Sequence, residues 1–66
     1  MADRQYDLFE IFPDGSPVWR VAITGHRSAI QKLEELAKQT ANEVRAIHLP
    51  TNSLIAAMNV PKPGNG

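Results

Sequence analysis

A Pro-Asp-Gly run at Pro13, Asp14 and Gly15 constrains this chain more than any other feature, because it sets how two strands pair. Flanked by Phe12 and Ser16, it predicts a type I turn with Gly15 in the left-handed conformation, followed by a bulge. Phe12 then faces Ser16. Counting outward pairs Ile11 with Pro17, Glu10 with Val18, Phe9 with Trp19, Leu8 with Arg20 and Asp7 with Val21. This alternation puts Phe9, Ile11, Trp19, Val21 and Ile23 on one face, the expected core, and Tyr6, Leu8, Glu10, Val18, Arg20 and Ala22 on the other.

The flanking segments supply the strands. Residues 5–12 are apolar on both faces, as in a central strand. Residues 17–24 include the β-branched Val18, Val21, Ile23 and Thr24, which favour a strand, and begin with Pro17, which lacks an N–H and suits a sheet edge. After Gly25, Ser28 with Gln31 three residues later predicts a capped helix start. Ala29, Ile30, Leu33, Leu36, Ala37 and Ala41 then recur at helical spacing as one apolar stripe. Asn42 is the expected left-handed helix stop. Residues 43–49 and 54–60 read as two further strands around the turn residues Pro50, Thr51, Asn52 and Ser53. In the third strand Val44, Ala46 and His48 alternate with Arg45, Ile47 and Leu49, and both sets include a polar residue, so its buried face stays open.

The predicted fold is therefore α+β: ββαββ, an all-antiparallel four-stranded sheet in the order 2-1-3-4 with one helix packed on one face. Residues 1–60 form the expected single domain and 61–66, rich in Pro and Gly, a flexible C-terminal tail. Tyr6-Asp7-Leu8-Phe9-Glu10, Gly15-Ser16-Pro17-Val18-Trp19-Arg20, Leu33-Glu34-Glu35-Leu36-Ala37 and Asn42-Glu43-Val44 together resemble small single-domain bacterial proteins of ββαββ type that carry no assigned function. That resemblance covers most of the expected ordered region and implies the fold; it implies no activity.

At 66 residues and without cysteine, the chain has a small core and no disulfide to reinforce it. Seven basic and seven acidic residues leave no net charge, which removes the global attraction most nucleic-acid binders use. No apolar run approaches the ~20 residues of a membrane span, and the start has no signal-peptide pattern, so a cytoplasmic protein is expected.

Chemistry-bearing constellations are sparse. His26 and His48 are the only histidines, and a metal site would have to recruit Asp7, Asp14 or Glu43 from separate elements. Ser16, Ser28 and Ser53 sit in turn or cap settings, without a nucleophile elbow. Glu34 and Glu35 point about 100° apart on a helix and cannot flank one bond. No catalytic residue, metal or cofactor is expected. Gly25, His26, Arg27 and Ser28, between strand and helix, are a candidate anion site on free helix N–H groups.

The helix covers only one sheet face, so the other is the candidate interface, with Tyr6, Leu8, Val18, Arg20 and Ala22 as its residues and a homodimer as the expected assembly. This makes a non-catalytic interaction module the leading expectation. The competing one is a nucleic-acid binder on the open face, using Arg4, Tyr6, Arg20 and Arg45; the third is a small-anion or ligand binder at the helix start. Trp19 would serve as a stacking platform only if it were exposed.

Overall fold

Local turn chemistry forms the first hairpin as expected. In the computed structural model, which describes residues 5–61, Gly15 N–H donates to Phe12 C=O at 2.8 Å and Phe12 N–H donates to Ser16 C=O at 2.9 Å. Gly15 has φ +89°, a conformation that a side chain disfavours. Asp14 Oδ1 accepts from both the backbone N–H and the hydroxyl of Ser16, bracing the turn.

The turn joins β1 (Gln5–Ile11) to β2 (Pro17–Thr24); α1 (His26–Gln39), β3 (Glu43–His48) and β4 (Ser53–Met58) follow. The four strands form one sheet in the order β2-β1-β3-β4, every neighbouring pair antiparallel, with β2 at an edge. Ala29, Leu33 and Leu36 of α1 are buried against it. The ββαββ α+β architecture is thus the expected one. Of the tail expected over 61–66, only Pro61 falls within the described residues.

Along β1 and the turn half of β2 the buried face is the reverse of the expected one, while Val21 and Ile23 pack on the core as expected. The pairing of Ile11 with Pro17, Glu10 with Val18 and Phe9 with Trp19 holds, but a bulge then shifts the register so that Leu8 faces Val21 instead of Arg20. Tyr6 and Leu8 are 1% and 0% exposed beneath the helix, whereas Trp19 is 56% exposed on the other side. Because the bulge adds one residue, Val21 and Ile23 return to the helix side and pack on the core.

Pairing with β3 supplies the physical reason. Phe9 faces Arg45 and Ile11 faces Glu43, so turning Phe9 and Ile11 under the helix would bury two charges with them. Leu8 instead faces Ala46, and Glu10 faces Val44, which brings only one charge inside. Ala46 and Ala29, both fully buried, are small enough to let helix and sheet approach closely.

Helix ends also differ from expectation. Gly25, φ +97°, is the N-cap, and no side chain caps the helix; Ser28 lies inside the first turn. At the other end Thr40 is an extended C-cap, and Asn42 is not left-handed. The stop comes from afar: Asn59, φ +58°, donates its side-chain amide to the carbonyls of Ala37 and Thr40, each at 2.9 Å, and of Asn42 at 3.3 Å.

Candidate functional site

With α1 on one side, the opposite side of the sheet is left uncovered by the described residues. Cross-strand partners share a face, so the ladder assembles this surface row by row. One row runs Trp19, Phe9, Arg45, Ala57; the next runs Ala22, Asp7, Ile47, Leu54; Pro17, Ile11 and Glu43 form a third. Trp19 and Leu54, each 56% exposed, project at opposite edges. Between them lies a hollow of about 220 Å³ walled by Phe9, Ile11, Pro17, Arg45 and Ile47.

The polar groups on this face are matched to one another. Trp19 Nε1–H donates to Asp7 Oδ1 at 3.2 Å. Arg45 Nε–H donates to Glu43 Oε2 at 2.6 Å, and that bond binds the guanidinium proton more firmly than usual. Arg45 and Ile11 also border a larger groove of about 520 Å³ at the turn end, where Phe12, Pro13 and Asn42 join the wall.

Several expected interface residues are elsewhere. Tyr6 and Leu8 belong to the core, which removes them from any docking surface. Val18 is exposed but pairs with Glu10, on the helix side beyond the reach of α1. Arg20 turns the same way and forms an ion pair with Glu10. Of the set named from the sequence, only Ala22 shares a row with the uncovered face. The missed residues are Phe9, Ile11, Ile47 and Leu54, and the β1–β3 register was the signal that would have found them.

Beneath the helix, Glu10 is the centre of a polar knot. It is 5% exposed and accepts from Thr40 Oγ1 at 2.7 Å and Asn42 Nδ2 at 2.8 Å, besides Arg20. These bonds, Thr40 first, then Asn42 and Arg20, hold its carboxyl below the ordinary glutamate value against the opposing effect of burial. The knot ties β1 and β2 to the loop that follows α1.

At the other end of the helix, His26 and His48 converge on one ring. The centroid of Tyr6 lies 5.9 Å from that of His26, edge to face, and 5.1 Å from that of His48. His48 Nδ1 is 3.0 Å from Thr51 Oγ1. Among the described residues, no three His, Cys, Asp or Glu side chains gather as a metal-binding group. The candidate anion residues Gly25, His26, Arg27 and Ser28 do occupy the helix start, with their leading N–H groups uncapped by side chains. Arg4, named for the nucleic-acid reading, lies outside the described residues. No family model matches the chain, and neither curated proteins nor solved structures include a match to it.

Proposed function

We propose that the protein is a non-catalytic interaction module that self-associates as a homodimer through its uncovered sheet face. One observation carries the reading: the chain's single tryptophan stands 56% exposed on a helix-free face shared with Phe9, Ile11, Ile47 and Leu54. A domain this small gains most from burying its only indole, and leaving it outside makes sense where another surface covers it. A cytoplasmic setting belongs to the same reading. Among the described residues no helix is long and apolar enough to cross a membrane.

Sedimentation equilibrium at tens of micromolar tests the proposal. A mass of two chains is expected, and a mass of one chain throughout that range would overturn it. Ile47→Lys places a charge in the middle of the uncovered face and should return the protein to one chain.

A second reading, single-stranded nucleic-acid binding, is favoured by the row that aligns Trp19 and Phe9 with Arg45, since bases stack on aromatic rings. Charge argues against it. Glu43 pairs with Arg45, Asp7 adds a further negative group to the face, and Arg20 is engaged with Glu10 on the other side. A labelled mixed-sequence oligonucleotide is expected to show no sub-micromolar binding near physiological salt. Tight binding abolished by Arg45→Ala would move the function to this class. Small-anion binding at Gly25–Ser28 rests on the helix start alone and ranks below both.

A further inference from the structure

We propose that the dimer is built by reciprocal insertion, with Trp19 of each copy entering the hollow between Phe9, Ile11, Pro17, Arg45 and Ile47 of the other. This rests on the self-association reading and deepens it.

A two-fold contact uses the same patch on both copies, so the patch must contain both a projection and a recess that receives it. The uncovered face has both, side by side. Trp19 is the large projecting group, and the adjoining hollow of about 220 Å³ is walled mostly by apolar side chains. Phe9 is at once the cross-strand partner of Trp19 and a wall of that hollow. An axis that carries each projection into the opposite recess passes midway between them, beside Phe9, whose ring then meets its own symmetry mate.

The hydrogen bonding already present suits a dry contact. Asp7 accepts the one N–H of the indole within the same chain, so burying the ring leaves no donor unpaired. Glu43 engages Arg45 through Nε, and the guanidinium, on a side chain 42% exposed, remains accessible to an incoming aromatic ring. With Arg45 occupied by Glu43, and Asp7 adding a carboxylate whose partner is the neutral indole, the face suits an apolar partner better than a string of phosphates.

The area is adequate for a modest dimer. Four strands at ~4.8 Å spacing and about six residues at ~3.4 Å give a footprint of roughly 400 Å² a side before side-chain relief is added. Doubled and roughened, this approaches the ~1,000 Å² expected of a specific interface, at the weaker end of the range. The predicted dimer therefore dissociates on dilution.

Trp19, the only tryptophan, reports on its own burial. Its fluorescence emission is followed along a dilution series in which sedimentation equilibrium gives the mass. Emission is expected at shorter wavelength in the two-chain species, shifting to longer wavelength in step with dissociation. Trp19→Ala should raise the dissociation constant roughly thirtyfold, the size of an interface hot spot. A dimer whose emission stays constant through dissociation, or whose dissociation constant is unchanged in Trp19→Ala, would overturn the insertion while leaving self-association intact. A one-chain mass at every concentration would overturn both.

Discussion

Glu10 is tolerated beneath the helix because three donors from two other parts of the chain converge on its carboxylate. A buried carboxylate with fewer partners would be strongly destabilising, and the arrangement makes the protein sensitive to acid. Glu10 and Asp14, the latter held by both bonds from Ser16, have folded-state pKa values below their ordinary 4.5 and 3.8. Groups depressed in this way stabilise the fold fully above those ordinary values, and the contribution is lost as pH falls through the lower folded ones. Urea midpoints measured from neutral pH down to about pH 3 should therefore decline at the acid end. Glu10→Gln should lower the neutral-pH midpoint and flatten that decline. The inverted sheet face makes a second residue-scale prediction. Leu8→Ala removes a fully buried side chain and should cost about 2–5 kcal/mol. Trp19→Ala, at concentrations where the chain is monomeric, should cost about 1 kcal/mol or less, as for other exposed positions. Chemical denaturation of the two variants side by side checks the ranking. At the turn, Gly15 has open space around it, so Gly15→Val is penalised by its positive φ alone, about 1–2 kcal/mol. Ser16→Ala loses only the side-chain bond to Asp14 and should cost less in the same urea titration.

Elements are legible in this sequence to the extent that their determinants are local. The Pro-Asp-Gly turn carries the hairpin register as far as Phe9 and Trp19, and the stripe from Ala29 to Leu36 carries the helix and its buried side. Which sheet face that helix covers is not a local property. It depends on Phe9 standing opposite Arg45, a pairing across 36 residues that no turn specifies. The bulge on β2 then lets Val21 and Ile23 serve the core while Trp19 does not. For the same reason the sequence pattern groups all three on one face, and the candidate interface named from it shares only Ala22 with the uncovered surface. The helix stop is non-local as well, since Asn59 reaches it from beyond β4. Asn59→Ala removes three side-chain bonds and places a less tolerant residue at positive φ, which should cost about 1–2 kcal/mol. Asn59→Gly keeps the backbone at ease and loses only the amide. Hydrogen exchange should show the last turn of α1 opening more readily in both variants, with Asn59→Ala the less stable overall.

For the whole molecule, the small core and the exposed apolar face are two sides of one constraint. A sheet with a single helix can cover one face only, and a chain of 66 residues buries a smaller share of its surface than larger domains do. The proposed association through the second face would add apolar burial that the fold cannot supply internally, and would do so without a disulfide, which this cysteine-free chain cannot form. Such stabilisation follows mass action: a partner that binds only the folded state raises the unfolding temperature as its concentration rises. The melting temperature of the unaltered protein should therefore increase between low micromolar and high micromolar samples, whereas that of Ile47→Lys should not depend on concentration. Ile47 pairs with Asp7 and Leu54 in the uncovered face, so the new ammonium would meet a carboxylate and water in the monomer but would be sealed against the partner in the dimer. Differential scanning calorimetry across the concentration series separates the two. A melting temperature that is the same at every concentration for the unaltered chain would show that it folds to its full stability alone, and would end the case for a second copy on that face.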